Sequence, residues 1–287
     1  MPSNDTFCLL SRNDDTCLGE ELRLCAFARE NVSESINGSE DLQEMNGSTT
    51  NSPRSREEFE QIFLMNVATC EWEPHSLFSV FTQYDQEYYL NQAQAFLCKY
   101  KCFYAVSKTI SPKKIIEMGT CAGASADAYL SAAPEAEYVG IDVFGVNTRH
   151  DDHSLWDPYQ VAQRLFESRG FKHYQLLKAD LRELPSLPGP ADFVVVDAAH
   201  DFASAYADLK LALTAAPTFV FVDDCDDENG AKPAIEQFLS QDVNGRVDYT
   251  AHISYIGGGL VIKLKNTEGW QEQTVDSQNE DVPPTNI

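Results

Sequence analysis

Residues 115–125 have the sequence IIEMGTCAGAS, in which a short apolar run is followed by two glycines and by small residues that suit a helix. In an open α/β sheet, ligands bind where such a strand passes through a glycine turn into a helix, because glycine allows close backbone approach. The spacing from Gly119 to Gly123 is G-x-x-x-G and differs from the G-x-G-x-x-G of dinucleotide sites. Glu117 would repel a pyrophosphate but would attract a cationic amino group. The loop therefore favours a nucleotide that carries an amino acid.

Short β-rich runs alternate with stretches of helical length downstream of this loop. The alternation predicts right-handed βαβ units and a doubly wound, mostly parallel sheet of the α/β class. A short glycine link at 257–259 predicts that the last two strands pair antiparallel. The predicted strands are 113–118, 138–144, 173–179, 192–198, 218–224, 247–255 and 259–265, and the helices between them are 124–133, 159–168, 203–215 and 232–240.

The predicted folded domain covers residues 57–265. Apolar residues recur at three- and four-residue spacing in 57–71 and 85–107, which predicts two N-terminal helices within a helical cap over 57–110. The segments 1–56 and 266–287 are predicted to be flexible, because they offer few apolar residues to bury; the second carries five acids and no Lys or Arg.

Composition excludes several function classes. The net charge of −24 disfavours partners with phosphate backbones and anionic membranes. No apolar run approaches the roughly 18–20 residues that cross a bilayer. The eight cysteines form no C-x-x-C pair, which predicts free thiols in a reducing, cytoplasmic compartment. The oligomeric state is left open, with a homo-oligomer among the alternatives.

Acidic residues end the second and third predicted strands. Asp142 lies 19 residues beyond Gly123, where a carboxylate can accept two hydrogen bonds from a ribose diol. Asp180 ends the third strand, where it could bind an adenine amino group. Together with the glycine loop, these acids resemble class I S-adenosylmethionine-dependent methyltransferases over residues 113 to about 265. The resemblance implies a seven-stranded sheet of order 3-2-1-4-5-7-6 and S-adenosylmethionine as cofactor. The residues expected to contact it are Glu117, Gly119, Thr120, Cys121, Gly123, Ser125, Asp142, Val143, Asp180, Leu181 and Asp197.

Three further acids end the fourth and fifth strands. Asp197, Asp223 and Asp224 should converge, because neighbouring parallel strands lie about 4.8 Å apart. Carboxylates in one crevice repel one another unless their pKa values rise or a hard cation neutralises them. We therefore predict a divalent cation, with Mg²⁺ favoured, bound by these three residues.

The same acids narrow the resemblance to metal-dependent O-methyltransferases. Catechol-type enzymes have Asp-x-x-Lys and Asp-Asn motifs, whereas this sequence has Asp197-x-x-His200 and Asp223-Asp224. These departures are similar to macrolide sugar methyltransferases and the cephalosporin hydroxylase-like group of natural-product enzymes, and they put a catechol substrate in doubt. His200 stands where the catechol-type enzymes have their general base, and a neutral imidazole can take a hydroxyl proton; a helix-capping or packing role is the alternative.

The prediction is a methyltransferase that acts on a hydroxyl of a small molecule with help from a divalent metal. A metal-independent N-, O- or C-methyltransferase and a non-catalytic cofactor-binding module remain alternatives. An NAD-dependent dehydrogenase is disfavoured by the glycine spacing. A loop with His150, Asp151, Asp152 and His153 is expected to be solvated or to contact substrate, because adjacent acids outside a helix make a poor metal site.

Overall fold

The structure is a computed structural model that describes residues 52–75, 86–145 and 157–265, with the backbone alone for 86–96. The predicted flexible segments, apart from residues 52–56, and the loop with His150 and His153 lie outside the described residues. No helix in the described ranges is long and apolar enough to cross a membrane.

Seven strands form one sheet of order β3-β2-β1-β4-β5-β7-β6, which confirms the predicted fold class and strand order. Strands β1 to β5 run parallel, and β7 runs antiparallel to both β5 and β6. The predicted elements are present, and their ends differ from the prediction by at most about three residues. The strands are β1 Lys114–Met118, β2 Glu137–Asp142, β3 Tyr174–Lys178, β4 Phe193–Val196, β5 Phe219–Asp223, β6 Val247–Ile253 and β7 Gly259–Leu264. The helices are α1 Arg56–Ala68, α2 Gln86–Ile110, α3 Ala124–Ala132, α4 Pro158–Arg169, α5 Phe202–Leu213 and α6 Ala231–Gln241, with a 3₁₀ turn at Leu181–Glu183 that the sequence analysis missed.

Helices cover both faces of the sheet. One core cluster joins buried residues of α1 to α4 to the sheet, and a second joins α5 and α6 to its other face. Every residue of β4 and β5 is buried, which explains their unbroken apolar sequences. At the outer edges, β3 is half-exposed, and β6 shifts register against β7 between Val247 and Tyr249.

The first helix is docked on this sheet. The Ser55 hydroxyl caps α1 by accepting from the Glu58 N–H at 3.2 Å, and Phe59 is fully buried in the core. Ahead of the helix, Lys263 Nζ donates to the Pro53 carbonyl at 2.8 Å. The contacts of the folded body therefore begin at Pro53, four residues before the predicted boundary at 57.

A buried ion pair fastens the segment after α1 to the helices. Asp127 in α3 is fully buried and accepts from Arg169 Nε at 2.7 Å and Arg169 Nη2 at 2.8 Å. Trp72 Nε1 donates to the same carboxylate at 3.1 Å, and Arg169 also reaches the Glu73 carbonyl at 2.6 Å. These contacts join α3, α4 and the chain after α1.

Candidate active site

The glycine loop lies between the carboxyl ends of β2 and β4. Gly119 has φ +98°, and a Cβ there would lie 1.9 Å from the backbone oxygen of Asp197. Its N–H donates to the Ile141 carbonyl at 2.8 Å. Gly123, with φ +83°, begins α3 against the Phe166 ring. Only glycine satisfies both the positive φ and the close approach at Gly119.

Glu117 is fully buried below this loop. The Tyr138 hydroxyl donates to its Oε2, whereas Oε1 has no hydrogen-bond partner among the described residues. Burial raises the pKa of Glu117 to about 7, against the opposing effect of the polar Ser125 and Tyr138 side chains. A buried carboxylate oxygen without a partner is the kind of acceptor that a cationic amino group would satisfy.

Asp142 fixes the loop to the end of β2. Its Oδ2 accepts from the Cys121 N–H at 2.9 Å, and its Oδ1 accepts from the Phe144 N–H at 2.6 Å. Each carboxylate oxygen can accept a second hydrogen bond, so capacity for a ribose diol remains. The next side chain, Val143, is 51% exposed, which provides an apolar surface beside that carboxylate.

The remaining residues predicted to contact the cofactor differ in their exposure and in whether they already have hydrogen-bond partners. Thr120 and Ser125 are buried, with the Thr120 hydroxyl 3.2 Å from Tyr138 OH, whereas Cys121 is exposed. Asp180 is paired with Arg182, whose Nε lies 2.9 Å from Oδ1 and whose Nη2 lies 2.5 Å from Oδ2. These hydrogen bonds lower the pKa of Asp180 to about 2. An adenine contact at Asp180 would therefore compete with an existing ion pair. Leu181, which starts the 3₁₀ turn, packs partly against the core.

The acids that end β4 and β5 surround a lysine. Lys99 of α2 places its Nζ 2.5 Å from Asp223 Oδ2 and 3.8 Å from Asp224 Oδ1. The Tyr255 hydroxyl donates to Asp223 Oδ1 at 2.6 Å, and His200 Nδ1 lies 3.4 Å from Asp224 Oδ2. The strand ends therefore bring together Asp223, Asp224 and His200 with Lys99 and Tyr255, and the sequence analysis missed the last two.

Residues 116–225 match the family model described as a methyltransferase domain. This part of the chain is similar to methyltransferase domains. Comparison with curated proteins gives no match.

The chain is similar to solved structures of methyltransferases. The Podospora anserina methyltransferase PaMTH1, bound to SAH, is 16% identical with a TM-score of 0.50, over 76% of this chain and 100% of that one. The O-methyltransferase TomG from Streptomyces achromogenes, in complex with SAM, is 15% identical with a TM-score of 0.46, over 73% of this chain and 99% of that one. The Bacillus cereus O-methyltransferase in complex with SAH is 16% identical with a TM-score of 0.46, over 72% and 100% of the two chains.

The acid cluster at the ends of β4 and β5 fits the predicted divalent cation poorly. Its positive charge is the Lys99 ammonium, which already contacts two of the three carboxylates. Among the described residues, the group with ligand atoms close enough for one ion is Cys225, Asp226 and His252, and none of the predicted ligands belongs to it. Burial raises the pKa of the Cys225 thiol above its usual value, which disfavours the thiolate that a metal ion would bind. The metal centre at Asp197, Asp223 and Asp224 stays a prediction, and in this structure two of these carboxylates are paired with the Lys99 ammonium.

Close approaches at two glycines position His200 and Asp224, and the sequence analysis missed both roles. A Cβ at Gly230 would lie 1.7 Å from the His200 carbonyl oxygen, and a Cβ at Gly257 would lie 2.0 Å from Asp224 Oδ1. Asp224 itself has φ +50°. The sequence predicts a hairpin turn for the glycine link at 257–259. The signal available for its contact with Asp224 is that the strand after the link pairs with β5, so the link must lie beside the carboxyl end of β5.

Proposed function

We propose that this chain transfers a methyl group from S-adenosylmethionine to a hydroxyl group of a small molecule, with His200 as general base. The observation that carries the proposal is the accessible imidazole of His200, 46% exposed, at the same sheet edge as the glycine loop and 3.4 Å from Asp224 Oδ2. Hydroxyl acceptors need to lose a proton as the methyl group arrives, which is the task of such a base.

The glycine loop and its carboxylates support the cofactor. The unpartnered Oε1 of Glu117 fits an amino group, the glycines allow close approach, and Asp142 with Val143 offers a polar and an apolar surface at the end of β2. When bound, S-adenosylmethionine would supply the methyl group from its sulfonium.

Asp224 supports the basic role of His200. A proton taken by the imidazole creates a positive charge, and the carboxylate 3.4 Å away stabilises it. Asp224 thus acts as a positioning residue and needs no metal for this role. A small acceptor agrees with the net charge of −24, which opposes nucleic-acid substrates.

The test is methyl transfer from radiolabelled S-adenosylmethionine to a panel of small hydroxyl compounds, with binding of S-adenosylhomocysteine measured by calorimetry. We expect His200→Ala to lower turnover by about 10²- to 10⁴-fold while the calorimetric affinity stays unchanged, because the base touches the acceptor.

His252→Ala is the matched control, since His252 is also a half-exposed imidazole and lies 3.0 Å from Asp226; its turnover should equal that of the wild type. Unchanged turnover in His200→Ala would show that His200 is not the general base. Absence of S-adenosylhomocysteine binding by the wild type would overturn the methyltransferase proposal, and binding without transfer to any acceptor would favour a non-catalytic cofactor-binding module.

A further inference from the structure

Lys99 occupies a site that is built for an ammonium group. Its Nζ lies 5.6 Å from the ring centroid of Phe103 and 5.8 Å from that of Tyr255, and both rings are buried. The lysine side chain is 12% exposed and ends 2.5 Å from the fully buried carboxylate of Asp223. Aromatic faces stabilise a desolvated monovalent cation, whereas a divalent ion needs oxygen ligands or water in the same positions.

The Lys99 ammonium gives the cluster a counter-charge without a metal ion. Asp223 is then neutralised by Lys99, and Asp224 faces His200.

The position of Lys99 in the fold makes this cation permanent. It lies four residues before the fully buried Phe103, on the same face of α2, and α2 packs on α1 and α3. A divalent ion would have to displace a lysine that the packing of α2 holds in place, and Asp223 would lose its partner.

We propose that Lys99 is the resident cation of the Asp197, Asp223 and Asp224 cluster in place of a divalent metal, and that methyl transfer by this chain is metal-independent. The second half rests on the proposed function. The first half concerns the free protein and is tested without substrate or cofactor.

The first experiment titrates the full chain with Mn²⁺ and follows free Mn²⁺ by electron paramagnetic resonance. Asp224→Asn is the comparison, because it removes one predicted ligand and leaves the other surface acids, which bind Mn²⁺ weakly, unchanged. We expect identical isotherms for the wild type and Asp224→Asn. One additional equivalent bound by the wild type would overturn the proposal.

The second experiment measures the coupling of Lys99 to Asp223 by thermal unfolding. Lys99→Met should lower the midpoint by about 10 °C, because it leaves a buried carboxylate unpaired. The matched control is Lys101→Met, in the same helix, where Lys101 lies 4.0 Å from the exposed Glu73 and the change should be below about 2 °C.

Adding Asp223→Asn to Lys99→Met should raise the midpoint again, since it removes the unpaired charge. Additive losses in the double variant would overturn the role of Lys99. If Lys99→Met alone does not fold, recovery of a folded double variant gives the same answer, and if neither folds, the Mn²⁺ isotherm of the wild type decides.

The third measurement is wild-type turnover after exhaustive chelation. We expect the rate to equal that in the presence of Mg²⁺. Loss of turnover with chelator and its return with Mg²⁺ would overturn metal independence, whereas absence of turnover under both conditions, with identical Mn²⁺ isotherms, would count against the proposed function and leave Lys99 as the resident cation.

Discussion

At the scale of single residues, the glycine loop lies above a carboxyl group that water does not reach. Glu117 is fully buried, and its pKa is raised from 4.5 to about 7. The folded chain therefore holds a proton on this group between pH 4.5 and 7 that the unfolded chain releases. Stability from this group is present below about pH 4.5 and is lost as the pH rises towards 7.

Glu117→Gln should change this pH dependence. The amide does not titrate, and its oxygen can still accept from Tyr138, so between pH 4.5 and 8 the free energy of unfolding should fall by about 3 kcal/mol less in the variant than in the wild type. Denaturant unfolding at several pH values measures it. Glu137→Gln, at the exposed start of β2, is the control and should follow the wild-type curve. Parallel curves for Glu117→Gln would show that its carboxyl group is not perturbed.

The sequence placed the candidate site residues at strand ends, but it did not indicate which side chains contact them. Gly119, Asp142 and His200 are found by spacing because their positions follow from strand ends. Lys99 and Tyr255 come from elements far away in sequence, and their contacts depend on how α2 and the β6–β7 turn pack. The one available signal was Lys99 on the same helical face as the buried Phe103, and a single sequence does not show which side chain such a lysine meets.

At the scale of elements, the fold was predictable because apolar periodicity and chain alternation act locally. The strands β4 and β5 appear as unbroken apolar runs, and their ends follow from the acids that come after them. Pro53 and Ser55 lie before the predicted start at 57, and their contacts are ones that composition does not reveal: the Pro53 carbonyl accepts from Lys263, and the Ser55 hydroxyl caps α1. The antiparallel β6–β7 hairpin was predicted, but its turn also lies against Asp224 at the end of β5.

Gly257→Ala should damage the site through that turn. The new Cβ would lie 2.0 Å from Asp224 Oδ1, and φ is +89°, so we expect a loss of about 1–2 kcal/mol in stability together with lower turnover. Gly245→Ala is the control, because Gly245 has φ +76° with nothing within 4 Å of the added Cβ. The control should lose similar stability but keep its turnover. Equal turnover in both variants would show that the turn does not position Asp224.

At the scale of the whole molecule, one hydrophobic body includes the N-terminal helix. Phe59 of α1 lies in the same core cluster as Phe103 of α2 and Phe221 of β5, and Asp127 joins the chain after α1 to α4. The helix is therefore part of the folded domain, in keeping with the predicted cap over 57–110.

A chain of residues 52–265 should unfold cooperatively at the same temperature as the full protein. A chain of residues 57–265 should be less stable by about 1 kcal/mol or more, because it lacks the Ser55 cap and the Pro53 carbonyl that accepts from Lys263. Calorimetric melting of both chains checks this. Equal melting temperatures would restore the boundary at 57, and loss of folding in the 52–265 chain would show that outer segments stabilise the domain.

The register shift in β6 has a consequence for aggregation. An open sheet leaves N–H and C=O groups unpaired at its outer strands, where a strand of a second molecule could add and start an ordered aggregate. The irregularity between Val247 and Tyr249 interrupts that row of hydrogen-bonding groups, and the opposite edge, β3, is five residues long and ends in Lys178. An irregularity at one margin and a short, charged strand at the other disfavour such growth.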